Sequence, residues 1–372
     1  LTQTLHFGNY TPHLMAGLII GTVPNILTAL TAIPSPDGNV RELITSVSKG
    51  TSKLGTSLTD VNVLICERGS GISLYEYLKN PLGDILVNNI VVILFQVLFT
   101  LDCLSNNGMT HGDLHIGNLF VSIDYAFTDY YFIASDAYVK IQYNPGIPFI
   151  KMFDWDFGWA DIFTDDQSKT RERESREAGS SACKNIGLCL NNYIERDVYR
   201  FITGLIDALQ VACLNINNNA LCQFLLSCVG FKSLNETLVK YKNIRYLCKT
   251  EQDNDKKLMC NGEWIPGQDL PDVKRPFDSI QDIFSLFAVN TYSTQVPMMT
   301  CVQFSPESWD GPHPNSEHFR QHVFGSHPDF LQNASNEILQ LYPSEEMIHP
   351  TKPEIHTNID ELAERLQNHK IR

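Results

Sequence analysis

A polar loop set between apolar runs restricts the architecture of this chain more than any other stretch. Thr110-His111-Gly112-Asp113-Leu114-His115-Ile116-Gly117-Asn118 follows a helical, apolar pattern at 87–104 and precedes two apolar runs, Leu119–Ile123 and Phe149–Phe153, that suit strands. Asn106-Asn107-Gly108 closes the helical pattern with residues that tolerate left-handed backbone, as a helix C-terminus favours. The second strand runs out into Lys151-Met152-Phe153-Asp154-Trp155-Asp156-Phe157.

Around this centre the chain alternates short strand and helix patterns. Residues 14–23 and 61–66 suit strands, and the Gly/Ser/Thr-rich connection from about Ser35 to Thr59 suits an exposed loop. A short helical segment covers Leu74–Leu78. Helical periodicity returns at 193–214, 220–230 and 278–290. The charge-dense stretch 164–182 suits a solvated loop or a frayed helix. After about residue 300 the composition shifts to Pro, His, Asn and charge, which suits an interaction arm or a partly ordered end, although Ile359, Leu362 and Leu366 could share one face of an amphipathic helix at 358–370.

Bulk properties exclude some classes. With 372 residues, 43% of them hydrophobic, the chain can bury a large core and is not disordered. A formal net charge of -14 disfavours nucleic acid or an anionic membrane as a partner held by bulk charge. The apolar run Val91–Leu101 contains Gln96 and ends at Asp102, short of the roughly 20 residues of a membrane span, so a buried helix is expected. Ten scattered cysteines without a CxxC pair suit reduced thiols in an intracellular, cytosolic compartment, and the sequons at Asn235 and Asn333 are then coincidental. The chain opens on Leu1 rather than Met, as a fragment or a processed product would.

The loop residues are those that phosphoryl transfer needs: a carboxylate to accept a hydroxyl proton, and oxygen ligands for the hard cation Mg²⁺. Asp113 fits the first role; Asn118 and Asp154 fit the second. Their spacing resembles the protein-kinase catalytic loop H-x-D-x-x-x-x-N followed by a strand that ends in a metal-binding Asp. Asp197-Val198-Tyr199-Arg200-Phe201 resembles a segment of the central helix of kinase C-lobes, which implies that Asp197, with His111, supports the loop. Val61–Glu67 resembles the strand entering the kinase hinge, so the backbone at Glu67 and Arg68 would meet adenine.

Within that superfamily the chain most resembles the virion serine/threonine kinase of poxviruses and its relatives in other large DNA viruses. The features are Tyr10-Thr11-Pro12-His13-Leu14, the H-G-D-L-H-x-x-N loop, Phe153-Asp154-Trp155-Asp156 and the Cys183–Cys189 stretch, and they span roughly residues 10–290. The resemblance implies an α+β protein-kinase-like fold: a partial N-lobe of late strands at 1–66, a hinge at 67–72, a mostly helical C-lobe at 73–299 and a C-terminal extension at 300–372. It implies an ATP- and magnesium-dependent serine/threonine kinase acting on a protein substrate, other virion proteins as partners, and a virion or host-cytoplasm location.

Several residues depart from ordinary kinases. Gly112 stands where an Arg usually receives a phosphorylated activation loop, so that switch is not expected. His115 stands where a Lys is usual and could contact a phosphate or simply pack in the loop. Asp156-Phe157-Gly158 spells the familiar D-F-G, but strand register favours Asp154 as the metal ligand, with Asp156 as an auxiliary. No Gly-rich loop or V-A-I-K strand precedes the early strand. Two other readings follow: a catalytically weak or inactive kinase-like component of a virus particle, or a small-molecule kinase of the choline or aminoglycoside type, prompted by Gly112 and His115.

Overall fold

The structure is a computed structural model, and it describes residues 11–15, 17–24, 60–66, 71–79, 84–124, 127–155, 158–160, 194–211, 220–230, 246–249, 256–260, 263–264, 273–288 and 299–343. It is a mixed α+β protein. Glu67, Arg68, Asp156, the stretches 35–59 and 164–182, the Cys183–Cys189 stretch and the segment 358–370 lie outside the described residues.

Helix α2 (Asp84–Asn106) is the axis of the core, reached from strand β3 (Ile72–Ser73) through helix α1 (Leu74–Lys79). From Ile90 to Leu104 its apolar side chains are buried on every side, as in a helix enclosed by protein. The helix is longer than the run Val91–Leu101 because polar residues inside and beside that run are paired, so they do not end it. Gln96 Nε2 donates to Pro148 O at 2.8 Å, its Oε1 accepts from Ile150 N–H at 2.9 Å, and Thr100 Oγ1 meets Thr11 Oγ1 at 3.0 Å. Among the described residues this is the one helix long and apolar enough to cross a membrane, and 89% of that window is buried within the protein.

Gly108, at φ +63°, turns the chain out of α2 into strand β4 (Met109–Thr110). The loop then leads through a 3₁₀ turn (Ile116–Asn118) into strand β5 (Leu119–Ser122). The chain forms a hairpin of β6 (Thr128–Ala134) and β7 (Ala137–Tyr143), returns in β8 (Phe149–Met152) and reaches β9 (Trp159–Ala160). Strand β8 pairs antiparallel with β5, matching Leu119 to Met152, and β9 pairs antiparallel with β4. Residues 111–118 and 153–155 therefore emerge at the same end of neighbouring strands.

Helices α3 (Ile194–Val211), α4 (Ala220–Cys228) and α5 (Pro276–Ala288) complete the helical layer, with Val198, Phe201, Ile202, Leu205 and Ile280 in the same core as α2. Strands β1 (Gly17–Pro24) and β2 (Asp60–Cys66) pair antiparallel, and β10 (Tyr246–Lys249), β11 (Lys256–Cys260) and β12 (Glu263–Trp264) form a small meander. Ahead of β1, Thr11–Met15 runs along β8: Met152 N–H donates to His13 O at 2.7 Å and Met15 N–H to Met152 O at 3.1 Å. His13 is wholly buried against Phe132 and Phe149, and burial pushes its pKa down to about 3, so it sits there neutral.

Residues 299–343 are built onto the sheet. Strand β13 (Met299–Gln303) pairs antiparallel with β7, and β14 (Val323–Gly325) pairs parallel with β6, giving the order β13-β7-β6-β14. Period-two alternation sends Tyr130, Phe132, Val139 and Ile141 into the main core and Tyr131, Ile133 and Tyr138 to the other face. There Trp309, Phe319 from helix α6 (Glu317–His322), and Ala334 and Ile338 from helix α7 (Pro328–Leu341) cover them as a second core. The hairpin is thus a wall shared by two cores. The Tyr138 hydroxyl is satisfied across the seam, donating to Ser308 O at 2.8 Å, while Lys140 pairs with Asp310 at 2.8 Å.

Candidate functional site

The polar loop is held from beneath by the first turns of α3. Asp197 is fully buried, and its carboxylate accepts backbone N–H bonds from His111 at 2.8 Å, Gly112 at 3.2 Å and Leu114 at 3.4 Å. Three donors on one buried acceptor fix the path of residues 111–114, since each N–H would be costly to leave unpaired. One residue earlier on the same helix, Arg196 donates to Gly112 O, and one turn later Arg200 forms an ion pair with Asp113 Oδ1. Arg196, Asp197 and Arg200 share a helix face by their spacing, so one face of α3 grips both backbone and side chain of the loop.

Gly112 explains its own identity. It sits at φ +80°, a conformation that residues with a Cβ adopt at a cost. The backbone at position 112 favours a glycine, and cationic groups reach the loop from α3.

His111 is a structural bridge. Its Nδ1 accepts the Asp113 N–H at 3.4 Å and its Nε2 meets Phe153 O at 2.8 Å, which assigns the proton to Nε2. Burial lowers its pKa, opposed by the charges of Asp197 and Asp154 and by the bond to Phe153, and the ring packs on Trp155 at 4.6 Å. His111 thereby ties the residue bearing the candidate carboxylate to the strand exit that carries Asp154.

His115 caps the 3₁₀ turn: its Nδ1 accepts from Gly117 N–H at 2.9 Å. A Cβ on residue 117 would lie 2.7 Å from the imidazole, so Gly117 is what allows His115 this position. Half-burial lowers the His115 pKa while Asp154 raises it, so at neutral pH the ring is uncharged and within the field of that carboxylate. The capping bond leaves Nε2 as its other polar atom.

Asn118 and Asp154 are brought together by the strand register. The Asn118 side-chain Nδ2 donates to Asp113 O at 3.0 Å, and Phe153 N–H donates to Asn118 O at 3.1 Å. With one amide hydrogen committed to Asp113 O, Asn118 has Oδ1 as its atom of metal-ligand chemistry. Asp154 follows directly, exposed and at φ +67°, a left-handed backbone uncommon outside glycine, while Phe153 stacks on Phe120 at 4.2 Å beside it. Two oxygen donors at adjacent strand ends fit magnesium, which keeps waters and substrate oxygens in its remaining positions. Among the described residues no group of three or more His, Cys, Asp or Glu side chains could by itself enclose a metal ion.

The structure gathers Asp113, His115, Asn118 and Asp154 at one end of β5 and β8, with His111 and Asp197 behind them. Sequence reasoning gave Arg196 and Arg200 no role. The available signal was their placement at one residue before and three after Asp197 on a helix expected to hold the loop. No protein family, curated protein or solved structure matches the chain.

Proposed function

We propose that this chain is an ATP- and magnesium-dependent serine/threonine protein kinase with a protein-kinase-like fold. The observation that supports the reading is the pinned loop: one buried carboxylate, Asp197, holds residues 111–114, and the pairing of β5 with β8 brings residues 111–118 and 153–155 to the same end of the sheet.

In this reading Asp113 Oδ2 orients the substrate hydroxyl and takes its proton. The hydroxyl oxygen bonds to the γ-phosphorus as the bond from that phosphorus to the β,γ-bridging oxygen breaks, and ADP leaves with the electron pair. Asn118 Oδ1 and Asp154 would hold magnesium, which supplies positive charge to the phosphate oxygens. His115, neutral and with Nδ1 engaged at Gly117, would offer Nε2 to the substrate. Glu67 and Arg68 would meet the adenine, and Asp156 would assist the metal.

The test is phosphate transfer from radiolabelled ATP to a panel of protein substrates. The native chain should transfer label, Asp113→Asn should lower the rate by roughly 10²–10⁴-fold, the range of a lost general base, and Asn118→Ala and Asp154→Ala should act through the magnesium dependence. Equal transfer by native chain and Asp113→Asn rejects the assignment.

The ion pair between Asp113 and Arg200 favours a second reading, in which the same acids are held in place as a kinase-like scaffold without turnover. Mg-ATP binding without transfer would select it. Labelling of a small alcohol but of no protein would select a small-molecule kinase.

A further inference from the structure

We infer that Arg200 is a catalytic residue, the cation that meets the transferring phosphoryl group; this rests on the kinase reading above. The geometry is a guanidinium delivered from α3 to Asp113 Oδ1, with side chains 8% and 15% exposed. It is neither a surface pair nor a bond within the helix. A guanidinium so enclosed must be matched by negative charge, and the cost of bringing it there is large unless that charge is used.

The path of the loop backbone does not depend on Arg200. The loop backbone is already fixed by Asp197 at three N–H groups and by Arg196 at the Gly112 carbonyl. Arg200 adds its charge at the one side chain proposed to touch the hydroxyl nucleophile. An arginine there lowers the basicity of the carboxylate, which would harm a reaction limited by proton abstraction. Phosphoryl transfer passes through a loose transition state in which the carboxylate mainly orients the hydroxyl and charge spreads over three equatorial oxygens, so a cation at that place gains more than the weaker base loses.

Residue identities along the loop agree. The loop offers no Arg or Lys between Thr110 and Phe120: Gly112 is required by its backbone, and His115 is neutral and engaged in capping. Positive charge must come from outside the loop, and α3 supplies it. A planar fork of five N–H donors can span a carboxylate oxygen and a phosphoryl oxygen at once, which an ammonium does less well.

The experiment measures binding of Mg-ADP to the full chain by calorimetry, with and without aluminium fluoride, whose planar complex with ADP mimics the transferring phosphoryl group. Aluminium fluoride should tighten Mg-ADP binding to the native chain by roughly 10²-fold or more, as transition-state mimics do. Arg200→Gln, which removes the charge and keeps a polar side chain, should bind Mg-ADP as the native chain does and lose the tightening. Arg200→Lys should recover part of it. If Arg200→Gln keeps the full tightening, the inference is overturned and the kinase reading stands. If Arg200→Gln loses Mg-ADP binding itself, the residue is structural and the inference is likewise overturned. If the native chain shows no Mg-ADP binding or no tightening, the kinase reading fails and the inference falls with it.

Discussion

Three backbone N–H groups converge on the Asp197 carboxylate, and an Asn there would turn a donor toward donors. Asp197→Asn should therefore cost about 2–3 kcal/mol, the range for hydrogen bonds to a charged group, measured as a shift in the urea midpoint. Gly112→Ala tests the backbone separately: at φ +80° a Cβ costs about 1–2 kcal/mol, and the strain falls directly beside Asp113. Loss of phosphate transfer in Gly112→Ala out of proportion to its loss of stability is the expected pattern, and an unaltered rate would show that the position of Asp113 tolerates a displaced neighbour.

At the scale of elements, α2 meets β14 through a buried acid. Asp102 is 3% exposed, and burial pushes its pKa up to about 6, against the lowering effect of the polar side chains of Ser326 and Asn106 beside it. A group whose folded pKa lies above its unfolded value of 3.8 adds stability fully below that value and loses it as pH rises through about 6. Asp102→Asn should consequently gain stability relative to the native chain between pH 4 and 6 and hold that gain at pH 7, at about 1–3 kcal/mol. His13 acts oppositely: with a folded pKa of about 3, below the unfolded value, it loses stability as pH falls below about 6.5. The difference between variant and native midpoints, not either profile alone, isolates Asp102.

The elements around the loop could be read from sequence because their punctuation is local. Asn106-Asn107-Gly108 ends α2 within the window that forms it, and the runs before and after Asn118 are apolar enough to stand out as β5 and β8. Strand β6 could not be read this way, since its two faces enter two cores and Tyr130–Ala134 shows no apolar/polar alternation. The two-residue turn after it, Ser135-Asp136, carries no glycine even though Ser135 sits at φ +60°. Strands β13 and β14 are five and three residues long, and their partners lie more than a hundred residues away in sequence, so nothing in their own composition announces them. The site shows the same division. Asp113, Asn118 and Asp154 follow from spacing, whereas the grip of Arg200 depends on how α3 approaches the loop.

For the molecule as a whole, the shared wall makes the two cores interdependent. Trp309 closes the outer core against Tyr131 and Tyr138 at 5.1 Å each, and Gly311 lies so close under its ring that a Cβ would fall 2.3 Å from it. Trp309→Ala should cost about 3–5 kcal/mol. Because the hairpin carries side chains of both cores, hydrogen exchange in α2 should accelerate along with exchange in α7; acceleration confined to residues 299–343 would mean that the two cores open independently. A last consequence concerns the chain ahead of β1. Residues 13 and 15 are hydrogen-bonded to the backbone of Met152, two positions before Asp154, so this segment is tied to the exit of β8. A displacement of the backbone at His13 would therefore strain the bonds to Met152 and be felt two residues from Asp154.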